Sequence, residues 1–299
     1  MAESHLLGEG TPNLPKACVY GLAAVFISAL NALVLMCLSA TDVNAGTAVM
    51  MRSQLISNCI GCVSMILIAK VFFTGHSFAY PHSNPLNNLP GALGLWAIYS
   101  QMALLVFMAL NSLERSILYC ILCHMYGLCY SVAAFLPCCG AHVDTASHRV
   151  EYIGSYKELQ QMVTVVNDVV ILTLVTVLYA HTISQIHQTS KSMTIAQLKQ
   201  ANMRRQKKLF YQFVIVAGTW VLHSVFIRLQ YFVPSLETVR IWVATGSLVR
   251  LLCAVADPLV AICFMKKLRR AIQKKLLCGW SSSSVAPLRS MNTNKNIEH

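Results

Sequence analysis

An acid and an arginine stand side by side near the end of a long apolar run. Glu114 and Arg115 are the only residues between positions 93 and 140 that carry a formal charge. A charge in hydrocarbon is costly unless it is paired or reaches an interface. The pair therefore has two interpretations. It marks the point where a membrane helix leaves the bilayer, or it forms a switch in which the acid holds the arginine in one state and releases it in another.

Five further charged side chains lie in or at the ends of apolar segments, namely Lys70, Asp168, Arg228, Arg250 and Asp257. Of these, Lys70 and Arg228 are long enough to reach the outer interface. Charges within a membrane usually face the interior of a helix bundle, where they pair with each other or line a cavity. Arg250 and Asp257 are two helical turns apart, so they can touch only if the helix bends at Pro258. For Asp168, an ion pair with Arg250 and a role in binding a ligand are equally open interpretations.

Motifs of known enzyme classes are absent from the sequence, which has no His-Glu-x-x-His, no Gly-x-Ser-x-Gly and no phosphate-binding glycine loop. The pairs Cys59-x-x-Cys62 and Cys120-x-x-Cys123 have the spacing of zinc ligands. Each lies in or beside an apolar segment without a second pair of ligands, so packing explains them better. We expect no enzymatic activity, no metal site and no cofactor.

The composition indicates a polytopic membrane protein. Of the 299 residues, 56% are hydrophobic and 11% are charged, whereas soluble domains contain about 25% charged residues. The net charge is +12 at pH 7. Its basic residues lie beside apolar segments, a pattern typical of loops that face anionic membrane lipids rather than nucleic acid.

Seven apolar segments approach the length of about 20 residues that a helix needs to cross a bilayer. They cover residues 17–38, 54–73, 93–118, 121–140, 162–181, 209–232 and 241–264. The predicted fold is an all-α bundle of seven transmembrane helices over residues 17–264. Basic residues cluster between the fifth and sixth segments and after the seventh, which places both regions in the cytoplasm and residues 1–16 outside the cell.

The cytoplasmic end has two parts. Residues 265–278 alternate cations with apolar residues, which predicts an amphipathic helix on the inner leaflet. At its end, Cys278 is either a palmitoylation site or a reduced thiol. Residues 279–299 predict a disordered tail.

Three motifs add a family resemblance. Asn31-Ala32-Leu33-Val34 is similar to an Asn-x-Leu-Val signature, Glu114-Arg115-Ser116 to Asp/Glu-Arg-Tyr, and Asp257-Pro258-Leu259-Val260-Ala261 to Asn/Asp-Pro-x-x-Tyr. With seven spans and a basic segment after the last, they resemble the rhodopsin-like family of G-protein-coupled receptors. The short N-terminus and the Glu-Arg-x-x-x-x-Cys run ending at Cys120 resemble its olfactory or chemoreceptor type.

The chain also departs from the family. Ser116, Leu222 and Ala261 replace residues that the family uses in activation. Pro90 stands near the position of a cysteine in the family's disulfide, so we expect that bridge to be absent. The second segment lacks the family's acid, and either Asn58 or Ser64 is its substitute.

The resemblance implies a plasma-membrane receptor that passes a small-molecule, odorant-like signal to a heterotrimeric G protein. The implied switch residues are Asn31, Glu114, Arg115, Asp257 and Pro258. The implied ligand-binding residues are Gln101, Asp168, Trp220, His223 and Arg250, although packing roles are equally open for Gln101, Trp220 and His223. If Asp168 does not fully neutralise Arg250, the ligand carries a carboxylate or another acceptor; otherwise a neutral odorant or a lipid-like molecule fits better.

Two other functions agree with the same residues. In a membrane transporter or channel, Asp168, Arg250 and Asp257 would line a permeation path. A receptor-like protein that no longer signals would explain the replaced activation residues. The charge pattern indicates membrane lipids as a partner and does not indicate nucleic acid.

Overall fold

The apolar segments form a bundle of helices. A computed structural model describes residues 12–39, 45–76, 84–110, 116–136, 138–144, 149–192, 211, 214–226, 229, 233 and 240–277. Within these residues, seven apolar helices precede one amphipathic helix. They are α1 Leu14–Leu38, α2 Ala45–Thr74, α3 Leu89–Leu110, α4 Ser116–Ala133, α5 Lys157–Ser192, α6 Val214–Phe226, α7 Arg240–Phe264 and α8 Lys266–Leu277. The predicted seven-helix membrane bundle with a C-terminal amphipathic helix is confirmed.

Side chains on α1 show how a membrane helix divides between protein and lipid. Ala24 and Ile27 are fully buried, whereas Leu22 is 72% exposed and Phe26 is 59% exposed. Large apolar side chains that stay outside the core in this way are suited to hydrocarbon rather than to water. The first five helices are each long and apolar enough to cross a membrane.

The start of α1 is fixed by its cap and by α2. The side chain of Asn13 accepts a hydrogen bond from the backbone N–H of Lys16 at 3.1 Å, and a proline stands in the first turn. Both features favour a helix start. The backbone N–H of Asn13 also donates to the carbonyl of Phe72 at 2.8 Å. The helix therefore begins at Leu14, three residues before the predicted start at residue 17.

The third and fourth predicted segments were wrong at their boundaries. The prediction placed residues 93–118 in one span and residues 121–140 in the next. In the structure α3 ends at Leu110, α4 covers Ser116–Ala133, and Gly140 already begins a strand. Cys120 consequently lies in α4, where it is buried. The predicted third span was drawn through Asn111, Ser112, Glu114 and Arg115, a polar stretch that stands between α3 and α4 in the sequence. The early end of α4 agrees with Pro137, which disfavours helix for the residue before it.

Other boundaries differ less. The structure extends the second span, predicted as residues 54–73, back to Ala45. It extends the fifth, predicted as residues 162–181, to Lys157–Ser192, with Glu158 at the positive end of the helix. The seventh span begins at Arg240, one residue before the predicted start. Of the sixth, predicted as residues 209–232, the structure describes a helix over Val214–Phe226.

A short β-hairpin joins α4 to α5 and was not predicted. Strand β1 (Gly140–Asp144) pairs antiparallel with β2 (Arg149–Ile153). Ala141 is fully buried with Ala92 of α3 in a small apolar cluster. The hairpin therefore lies over the N-terminal end of α3.

Helix α3 lies at the centre of the bundle. It packs against α2, α4 and α5, while α1 packs on α2 and also touches α7 and α8. The axes of α7 and α8 differ in direction by 95°. Leu268 and Ile272 of α8 are buried with Val34 of α1, and the basic residues of α8 are exposed. This distribution is that of a helix lying on a membrane surface.

Candidate functional site

Helices α2, α3 and α7 bury polar side chains against one another. The amide nitrogen of Gln101 donates a hydrogen bond to the side-chain oxygen of Asn58. The side chains of Gln54 and Asn58 approach the carboxyl group of Asp257. All four residues are at most 8% exposed. We call Gln54, Asn58, Gln101 and Asp257 the polar cluster.

The polar cluster distinguishes between the two candidates for the missing acid of the second helix. Asn58 faces Asp257 of α7. Ser64 instead donates its hydroxyl hydrogen to the carbonyl oxygen of Pro90 at 2.7 Å. Asn58 is therefore the residue of α2 that faces the Asp-Pro motif.

Two predicted switch residues have buried polar atoms that form no hydrogen bond of good geometry among the described residues. Asn31 of α1 is fully buried, and neither atom of its amide forms a hydrogen bond within the described part of the chain. Both carboxyl oxygens of Asp257 likewise lack a hydrogen bond of good geometry among the described residues, although the amides of Gln54 and Asn58 lie near enough to interact with the carboxyl group. Pro258 follows inside a continuous α7. Buried polar groups without partners are costly in free energy.

Arg250 and Asp257 do not meet. Because α7 is continuous from Arg240 to Phe264, seven residues at 1.5 Å each separate the two positions by about 10 Å along the helix. Cys253 lies between them on the same face, within electrostatic reach of both. The contact that required a bend at Pro258 is therefore not formed.

Trp220 and His223 lie together in α6. Their rings are 5.7 Å apart in an edge-to-face arrangement. Trp220 is 2% exposed and packs with Tyr99 and Met102 of α3, and its indole nitrogen has no partner among the described residues. The structure thus places Trp220 in the bundle core, with an N–H group that remains a potential donor.

Asp168 is a residue of α5 on the side that faces α4. It is buried and stands within electrostatic reach of Tyr126, whose hydroxyl donates to Asn167. Tyr126 belongs to a cluster of three tyrosines, in which Tyr99 and Tyr130 stack at 3.9 Å. Asp168 therefore lies in an aromatic environment.

Arg250 is a residue of α7 whose side chain lies against α3 and near α2. A Cβ atom added to Gly94 would lie 2.9 Å from a terminal guanidinium nitrogen of Arg250 and 3.1 Å from the hydroxyl oxygen of Ser64. The guanidinium group consequently occupies space that a side chain at position 94 would fill. Neither Gly94 nor Ser64 carries a charge.

Two cysteine thiols touch at the base of the hairpin, outside the spans. The sulfur atoms of Cys138 and Cys139 are 3.0 Å apart. This hydrogen bond, followed by burial, raises the pKa of the Cys139 thiol above its ordinary value. Cys18, Cys138 and Cys139 form no disulfide bond among the described residues.

Several predicted residues lie outside the described part of the chain. They are Glu114 and Arg115, which fall between α3 and α4, and Cys278, which follows α8. Their assigned roles stay predictions.

Sequence reasoning missed three kinds of contributor. Gln54 stands one helical turn before Asn58, a spacing that was available in the sequence. Tyr126 and Tyr130 are also one turn apart in α4. Gly94 gave no signal of its own, because only the approach of Arg250 gives its missing side chain a meaning. Among the described residues no group of three or more His, Cys, Asp or Glu could hold a metal ion.

No model of a known protein family matches the sequence, and no curated protein matches it. The structure is similar to the crystal structure of squid rhodopsin, with a TM-score of 0.70 and 11% sequence identity. The match covers 88% of this chain and 85% of squid rhodopsin. The chain has a rhodopsin-like fold. At this identity the likeness concerns the fold, and the olfactory type and the ligand stay predictions.

Proposed function

We propose that this multi-pass membrane protein is a receptor that binds a small molecule from outside the cell and activates a heterotrimeric G protein. The observation that carries the proposal is the match to squid rhodopsin over 88% of the chain. Fold alone does not define function. The rhodopsin-like motifs at Asn31 and Asp257 supply residue-level support within that fold.

The polar cluster supports a protein with two states. It joins α2, α3 and α7 through amides and one carboxyl group, and within the described residues the carboxyl group of Asp257 interacts with Gln54 and Asn58 without a hydrogen bond of good geometry. Such a buried group gains stability in a second arrangement that gives it partners. In this proposal Asn31, Asp257 and Pro258 belong to the element that shifts.

The cytoplasmic part of the proposal concerns Glu114 and Arg115. The carboxylate of Glu114 restrains the guanidinium of Arg115 in the inactive state, and release of Arg115 exposes it to the G protein. The receptor lies in the plasma membrane with its N-terminus outside.

Resonance energy transfer between labelled G-protein subunits, measured in cells that express the full-length protein, reports G-protein activation and tests this proposal. We expect Glu114→Gln to raise basal activation of the G protein, because the neutral amide holds Arg115 less strongly. We expect Arg115→Ala to abolish basal activation. Surface expression must be matched among the three proteins. Equal basal activity in all three would contradict the switch and favour a receptor-like protein that no longer signals.

A conductance or uptake assay separates the transporter alternative. The same cells should show no current or solute flux that depends on Asp168, Arg250 or Asp257. A flux lost in Asp257→Asn, with no G-protein response, would replace the receptor proposal.

A further inference from the structure

Arg250 is a charged side chain held inside the bundle, and no acidic side chain of the described residues forms an ion pair with it. Its guanidinium group lies against Gly94 of α3 and near the hydroxyl of Ser64 of α2. An unneutralised charge in a membrane bundle is costly, and an anion placed beside it recovers part of that cost.

The two buried acids of the described helices have other surroundings. Asp257 stands about 10 Å along α7 from Arg250, as two turns of helix require, and faces Gln54 and Asn58. Asp168 lies beside Tyr126 of α4. The ion pair between Asp168 and Arg250 that the sequence left open is not formed among the described residues.

Ser64 supplies the guanidinium group with at most one acceptor atom. Its hydroxyl group donates its hydrogen to the carbonyl oxygen of Pro90, and its oxygen lone pairs remain available to a donor. A guanidinium group carries five N–H donors in a planar fork. That fork matches the two oxygens of a carboxylate through a pair of parallel hydrogen bonds.

Gly94 makes the arrangement geometrically possible. A methyl group at this position would lie 2.9 Å from the guanidinium nitrogen, which is closer than ordinary van der Waals contact. The glycine lets the guanidinium group lie close to the backbone of α3. Arg250 is only partly buried among the described residues.

We propose that Arg250, seated on Gly94, binds the carboxylate of an organic acid and that this acid belongs to the class of molecules that the protein detects. This proposal rests on the proposed receptor function for the meaning of detection, but not for binding itself. The helices around Arg250 are apolar, so the rest of the acid is a hydrocarbon or aromatic group.

Thermal unfolding of the purified full-length protein in lipid nanodiscs tests the proposal without a G protein. The probes are hexanoate, octanoate, benzoate and phenylacetate, each beside its methyl ester and the primary amine of the same skeleton. We expect at least one acid to raise the unfolding temperature in a saturable way, and its ester and amine to have no such effect. A ligand that binds only the folded state stabilises it in this manner.

Variants identify the site. Arg250→Gln should weaken the apparent affinity for the acid by about tenfold to about 100-fold, because a hydrogen bond to a charged group is lost. Arg250→Lys should retain part of the affinity, since lysine keeps the charge without the fork. Gly94→Ala should weaken the affinity through crowding, whereas Gly218→Ala, where an added Cβ meets nothing within 4 Å, should leave it unchanged.

The outcomes are distinguishable. Failure of every acid to stabilise the protein, equal effects of acid and ester, or an unchanged affinity in Arg250→Gln would overturn the proposal. If Arg250→Gln does not fold, the comparison of Gly94→Ala with Gly218→Ala decides in its place. Acid binding that depends on Arg250 but never activates a G protein would contradict the proposed receptor function and leave this site intact.

Discussion

At the scale of single residues, the structure shows which side chains of different helices face one another, and sequence spacing does not. The sequence identified Asn31, Gln101 and Asp257 as polar residues in apolar segments, but it does not show how each helix is rotated about its axis. It therefore could not choose between Asn58 and Ser64. The choice follows from the bundle, because Asn58 faces Asp257 and Ser64 binds the carbonyl of Pro90.

Arg250 shows the same limit. Its position in an apolar segment was visible, and so was the possibility that Asp168 neutralises it. The residues that contact Arg250 are set by packing between α2, α3 and α7, and α7 is distant in sequence from the other two helices. Gly94 gains its significance only through that packing.

The first prediction concerns the buried carboxyl group of Asp257. Because burying a carboxylate costs more free energy than burying an amide, and the amides of Gln54 and Asn58 offset that cost only in part, Asp257→Asn should stabilise the protein by about 1 kcal/mol. Asn58→Leu should act in the opposite direction, since it leaves the amide of Gln101 without its acceptor. Apparent melting temperatures of the two purified variants measure both effects. A lower melting temperature for Asp257→Asn would contradict the prediction.

The second prediction concerns the adjacent thiols at the base of the hairpin. The hydrogen bond to Cys138 raises the pKa of Cys139, so the reactive thiolate of Cys139 forms only at a pH above the ordinary range. Cys138→Ala removes that bond and should speed alkylation of Cys139 at pH 8. Mass spectrometry of the peptide after iodoacetamide treatment gives the rate. Cys129→Ala, which removes a cysteine of α4, is the control, and a rate unchanged by Cys138→Ala would refute the stated cause.

At the scale of elements, hydropathy located the helices but not all of their ends. Helix α7 agrees with its prediction to within one residue because basic and polar residues flank it. The third predicted span ran on to residue 118, although Asn111, Ser112, Glu114 and Arg115 stand between α3 and α4 in the sequence. The hairpin was missed since β1 and β2 are only five residues long each, and a short alternation of this kind predicts little by itself.

The third prediction uses glycines to test how the hairpin is seated. A Cβ atom at Gly91 would collide with the carbonyl of Ala141 in β1. Gly91→Ala should therefore displace the hairpin and lower the melting temperature, although alanine is the better helix former. Gly218→Ala meets no neighbour within 4 Å and should raise stability by up to about 1 kcal/mol.

Hydrogen exchange of residues 140–153 measures the displacement in Gly91→Ala. We expect faster exchange there and unchanged exchange in α8, which lies elsewhere in the bundle. Equal exchange in wild type and Gly91→Ala would show that the close approach of Gly91 to Ala141 does not hold the hairpin.

At the scale of the whole molecule, composition was sufficient for the class of fold. A sequence with several apolar segments, each long enough to span a bilayer as a helix, can adopt few folds other than a bundle of transmembrane helices. The arrangement of the helices needed the structure, since pairs such as α1 with α7 or α3 with α5 follow from long-range packing. Family motifs supplied the rhodopsin-like resemblance, and the fold agrees with it at 11% identity.

The last prediction concerns orientation, which rests on charge alone. Lysine and arginine cluster in residues 191–208 and again in α8, whereas the connection between α2 and α3 contains neither. Basic loops stay on the cytoplasmic side. With seven helices between the termini, an epitope tag before residue 1 should bind antibody on intact cells, and a tag after residue 299 should bind only after permeabilisation. Because the proposed ligand site and the proposed G-protein surface must face opposite sides, an N-terminal tag reached only after permeabilisation would contradict the receptor function itself.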